Sequence, residues 1–98
     1  MDTEFADESL RRLQSDSTFT GGFGLEIVKA FRKRMQLIRA ARDERDFYAM
    51  KSLHFEKLKG DRQGQYSMRL NQQWRLILEF RKQSTSTTVV IISIVDYH

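Results

Sequence analysis

Between Leu25 and Met50 the apolar residues recur at spacings of three and four, and Val28, Phe31, Met35 and Ile38 form one stripe. Lys29, Arg32, Lys33, Arg39 and Arg42 occupy the rest of that surface. The pattern predicts an amphipathic helix from Leu25 to about Met50, with Asp43–Asp46 starting a break or a second short segment. Upstream, Thr3–Phe5 reads as a short strand. Asp7 is placed to cap a short helix carrying Leu10 and Leu13, because its carboxylate can accept from the first free helical amides. The stretch STFTGGFG, Ser17 to Gly24, interrupts the periodicity. Its glycines are too few and too close together for a nucleotide-binding loop, so it reads as a turn.

After Gly64 the period changes to two. Tyr66, Met68 and Leu70 alternate with Ser67, Arg69 and Asn71, and Trp74, Leu76, Leu78 and Phe80 alternate with Arg75, Ile77 and Glu79. This is a hairpin with one buried face. Residues directly opposite in a hairpin share a face, so Met68 and Leu70 must oppose Leu76 and Trp74. A loop at Asn71–Gln73 satisfies this and sets Arg69 opposite Arg75, on the face away from the helix. Like charges facing each other across strands repel. The two arginines either fan apart into water or await an anion such as a phosphate. Thr87–Val95 is apolar on both faces, as an interior strand should be. Helices first and an antiparallel sheet afterwards indicate an α+β fold, one domain over residues 1–98.

Charge adds a direction. Residues 1–28 hold six acids and two bases, a net of −4, whereas residues 29–62 hold eleven bases and five acids, a net of +6. A basic middle suits a polyanion such as RNA, or an acidic protein partner. Cysteine is absent, which excludes disulfides and thiolate chemistry. The longest apolar run, Val89 to Val95, is far short of the ~18–20 residues that span a bilayer. No signal peptide is visible, so a soluble cytoplasmic protein is expected.

The chemistry-bearing groups are Arg69 and Arg75, Lys57, Lys59 and Arg62 in FEKLKGDR, His54, Glu56, and Asp96, Tyr97 and His98 in IVDYH. Two histidines and one acid without helical spacing do not make a metal site, and no metal or other cofactor is expected. RNA cleavage needs neither. The 2′-hydroxyl beside the scissile phosphate is a nucleophile that the substrate brings. The protein must take its proton, offset the charge growing on the phosphate, and protonate the leaving 5′-oxygen.

The segment FEKLKGDRQGQYSMRLNQQWRLILEF followed by IVDYH resembles the HigB toxins, or plasmid-maintenance killer proteins, of the RelE/ParE superfamily. The resemblance covers Leu53–His98 closely and rests on L-K-G-D-R, N-x-x-W-R and D-Y-H at these separations. It implies a RelE-like domain with N-terminal helices on a small, mainly antiparallel sheet. It implies a ribosome-dependent endoribonuclease, the toxin of a type II pair, cutting messenger RNA in the 30S A site. Its partner would be a HigA-like helix-turn-helix antitoxin. By the same resemblance Arg75, Asp96, Tyr97, His98 and Lys59 are catalytic; Lys57, Arg62 and Arg69, as basic groups of the same segment, are expected to bind RNA. Family members carry a histidine two residues before the leucine of L-K-G, which falls here on Glu56, while the histidine is His54. Residues two apart on a strand share a face, so His54 is assigned to the site with Glu56 as its alternative. A ParE-like gyrase inhibitor and a non-catalytic antitoxin-binding module are the competing readings.

Overall fold

In chain order, strand β1 (Asp2–Phe5) leads into helix α1 (Glu8–Ser15), and the long helix α2 (Leu25–Ala40) is followed by the short helix α3 (Arg45–Ala49). Strands β2 (Glu56–Lys57), β3 (Tyr66–Arg69), β4 (Trp74–Lys82) and β5 (Thr87–Asp96) complete the fold, seen here in a computed structural model that describes residues 1–96. The sheet order is β1-β5-β4-β3-β2, with β1 parallel to β5 and every other neighbour antiparallel. This is the α+β arrangement that the change of period predicts, with the long strand β5 in the interior.

Each helix starts and stops for a local reason. Asp7 caps α1 by accepting from the Ser9 amide at 2.7 Å. The other end of α1 is held from α2, where Arg32 donates to the carbonyls of Leu13 and Asp16, both at 3.1 Å. Helix α2 stops at Ala40 rather than running on to Met50. Beyond it, the Asp46 carboxylate accepts from the Arg42 amide and the Asp43 carboxylate from the Arg45 amide, both at 2.9 Å. Side chains that bond the backbone in this way draw it out of the helical pattern.

The apolar stripe of α2 lies on the sheet. Ile27, Val28, Phe31, Met35 and Ile38 are buried with Met68, Leu70, Leu76, Leu78, Val89 and Ile91 in one core. Each of the larger of these side chains contributes roughly 1.5–3 kcal/mol by leaving water. Tyr66 belongs to the same face, its ring stacked 5.5 Å from that of Phe55 and edge-on to Phe80. A register shift between Ile77 and Leu78, which pair with Ser93 and Ile91, leaves Ile92 as an extra residue in β5. The extra residue returns Ile94 to the core side beside Ile91. It also puts Val95 opposite Arg75, away from the helices.

The second face of the hairpin is also covered. Ser67, Arg75 and Ile77 are 1%, 8% and 2% exposed, so the expectation of a single buried face does not hold here.

Candidate active site

Arg69 and Arg75 face each other in the β3–β4 register, as the loop at Asn71–Gln73 requires. Asn71 shapes that loop, its side-chain oxygen accepting from the amides of Gln73 and Trp74 at 2.8 Å each. The arginines neither fan into water nor stand bare. Arg75 lies against the sheet, with Nε donating to Ser67 Oγ at 2.9 Å and Nη2 donating to the backbone carbonyl of His54. Arg69 turns away, its Nε donating to the Asn71 carbonyl at 3.1 Å and its Nη1 meeting His54 Nε2 at 3.0 Å. The Arg69 carbonyl in turn accepts from Arg34 Nε of α2 at 2.8 Å. Burial lowers the Arg34 pKa from its ordinary value. A basic side chain of α2 is therefore committed to the fold rather than to a solvated face.

A cleft of about 230 Å³ opens on this face, lined by Leu58, Arg62, Ser67, Arg75, Ile77, Val95 and Asp96. Apolar walls around a fixed guanidinium keep water from screening its charge. Asp96 stands opposite Trp74 in the register and accepts from Gln73 Nε2 at 3.1 Å. Glu56 sits at the edge of the cleft, its carboxylate 4.0 Å from Arg75 Nη2 and half exposed. The arrangement can neutralise a phosphate at Arg75 and Arg62 and offers carboxylates within the same small space.

The residues expected from the sequence divide into groups. Arg75, Arg62 and Asp96 line the cleft, and Glu56 reaches its edge. His54 is not on a strand. It follows a 3-10 turn, Lys51–Leu53, in a left-handed conformation with φ 45° and ψ 46°, so the strand argument for a shared face with Glu56 fails. Its carbonyl, not its ring, contacts Arg75. Lys57 pairs with Tyr66 in the edge strand β2, and Lys59 precedes the turn Gly60–Arg62. Both lysines are exposed, and neither is among the described residues that line the cleft. Tyr97 and His98 lie outside the described residues. Among the described residues no cluster of three or more metal-ligating side chains occurs. Sequence reasoning passed over Ser67 and Arg34. Ser67 was legible in principle, being a small polar residue two positions from Arg69 on the arginine face, whereas nothing local marks Arg34.

The HigB-like toxin family model, described as a RelE-like toxin of the type II toxin–antitoxin system HigB, matches residues 3–98. Among solved structures, a YoeB/ParE toxin from Agrobacterium tumefaciens superposes with a TM-score of 0.60 at 15% identity, covering 100% of both chains. A YoeB–YefM complex from Staphylococcus aureus gives 0.59 at 20% identity, over 100% of this chain and 97% of that one. A YoeB dimer from the same organism gives 0.53 at 21% identity with the same coverage. At these identities the structural likeness is one of fold. No curated protein sequence matches.

Proposed function

The chain belongs to the HigB-like toxins, RelE-like toxins of type II toxin–antitoxin systems, and from that premise we propose that it is a ribosome-dependent endoribonuclease cutting messenger RNA in the 30S A site. The observation that carries this reading is Arg75. It is buried on a sheet face and clamped by Ser67 and the His54 carbonyl, in the wall of a cleft that also holds Arg62 and Asp96. A guanidinium fixed before the reaction stabilises charge that develops on a phosphate without having to reorganise.

In this mechanism the substrate's 2′-hydroxyl attacks the adjacent phosphate. Arg75 and Arg62 hold the phosphate oxygens. Glu56 and Asp96 are the described carboxylates near enough to accept the hydroxyl proton, and the resemblance adds Tyr97 and His98 to the site. The exposed Lys57 and Lys59, with Arg69, are assigned to contacts with the RNA outside the cleft. The ribosome supplies what a +4 chain with a small cleft lacks, a codon held single-stranded in one position. The proposed antitoxin is a HigA-like helix-turn-helix protein, and the proposed site of action is the cytoplasm. No helix among the described residues is long and apolar enough to cross a membrane.

The deciding experiment is cleavage of messenger on programmed ribosomes. Cutting within the A-site codon, with naked messenger cut far more slowly, is the expected result. Absence of cutting would reject the enzyme and return the gyrase-inhibitor and non-catalytic readings.

A further inference from the structure

His54 touches both facing arginines. Its carbonyl takes Arg75 and its imidazole takes Arg69, across a register in which the two stand directly opposite. From this geometry we propose that His54 is a positioning residue, a clasp that keeps Arg69 off the cleft and aims Arg75 into it. The proposal rests on the reading that Arg75 serves phosphate chemistry. It differs from the expectation of a catalytic ring at His54.

Two features support the clasp. A guanidinium can only donate, so the Nε2 that meets Arg69 Nη1 must be the unprotonated nitrogen of the ring, with the proton on Nδ1. In that bond the ring acts as an acceptor toward a cation, the opposite of a proton donor to a leaving group. The backbone adds the second feature. His54 is the one non-glycine residue with positive φ among the described residues, a conformation that side chains adopt at a cost and only when their surroundings enforce it. The enforcing neighbours are adjacent in sequence. Leu53 is buried in the core, and Phe55 is buried among Phe47, Tyr48, Tyr66 and Phe80. With both neighbours fixed, the left-handed turn at His54 sends its carbonyl to Arg75 and its ring to Arg69.

Three variants of the full chain separate the clasp from a catalytic ring. His54→Gly relieves the left-handed backbone and keeps the carbonyl but has no ring. His54→Ala keeps the backbone cost and has no acceptor. His54→Gln carries the same backbone cost and places an amide oxygen about where Nε2 lies. Each is read by single-turnover cleavage on programmed ribosomes, by melting temperature, and by 15N NMR of the arginine side chains. The expected result is a loss of between about ten- and a hundred-fold in single-turnover rate for His54→Ala and His54→Gly, the scale for a misplaced group. His54→Gln should recover most of that loss. Arg69 signals should move to fast rotation in the Ala and Gly variants and not in the Gln variant, while Arg75 signals persist in His54→Gly. A Gln variant as slow as Ala, with Arg69 signals restored, would make the imidazole itself chemical and overturn the clasp. Full activity in His54→Gly would overturn it as well. If the wild-type chain does not cleave on ribosomes, the enzyme reading fails, and the NMR arm alone still decides whether His54 holds the two arginines.

Discussion

Ser67 Oγ accepts from Arg75 Nε at 2.9 Å, inside a sheet face where both residues are buried. A charge in such a place is tolerable only because its donors meet acceptors. The contact makes the fold and the chemistry of Arg75 inseparable. Arg75→Ala should lower cleavage by roughly 10²–10³-fold, the scale for losing one transition-state donor. It should also destabilise the chain, because the Ser67 hydroxyl and the His54 carbonyl lose a partner, by roughly 1–3 kcal/mol. Arg75→Lys should recover only part of the activity, since an ammonium lacks the fork. Ser67→Ala should cost less than Arg75→Ala in rate. Urea melts and single-turnover rates on one set of variants check all of this.

The identity of the nucleophile can be tested on the substrate. A codon with a 2′-deoxy sugar at the scissile step should resist cutting altogether, while binding to the ribosome is unchanged. Cleavage of that codon at a comparable rate would require a water or protein nucleophile instead.

Asp96 ends the described chain, and the resemblance puts Tyr97 and His98 beside it in function. Removing Tyr97 and His98 should depress cleavage strongly, with antitoxin affinity and melting temperature within error of the full chain. A truncated chain that cuts ribosomal messenger at the full rate would assign the proton transfers to Glu56 and Asp96 alone.

Acid sensitivity has a local source. Hydrogen bonds from Arg45 hold the Asp43 carboxyl at about 2, below its ordinary 3.8. A carboxyl whose pKa is depressed by folding contributes stability that is present above its unfolded value and is lost as pH falls through the folded one. The loss from this group should therefore fall between about pH 4 and pH 2. Asp43→Asn should flatten the decline in melting temperature across that window by lowering the value above about pH 4, and by only a small amount because solvent screens the half-exposed pair with Arg45. Thermal melts at half-unit steps of pH measure it.

Most of the scaffold was legible along the chain. The stripe Val28, Phe31, Met35 and Ile38 specifies which side of α2 is buried, and strict alternation through Met68, Leu76 and Leu78 specifies the hairpin register, including the meeting of Arg69 with Arg75. Such patterns are legible because helix and strand geometry repeat every few residues, so neighbours in sequence report which positions share a face. The early stop of α2 was legible only as a break near Asp43, since the carboxylate bonds that end the helix depend on how the chain folds back locally.

Three things were settled by packing between distant segments. Periodicity says that two residues share a face and says nothing of what covers it, so the burial of Arg75 beneath a cleft walled by Leu58 and Val95 was out of reach. One extra residue, Ile92, reverses every face after it, and no composition rule marks it, because Ile92 is as apolar as its neighbours. The left-handed turn at His54 arises because Leu53 and Phe55 are both drawn into the core, and it brings the His54 carbonyl to Arg75 and its ring to Arg69. The sequence by itself determined the fold class, the buried stripe of α2, the β3–β4 register and the family. The tertiary structure decided the aim of the guanidinium, because that direction is set by contacts among residues that are far apart along the chain.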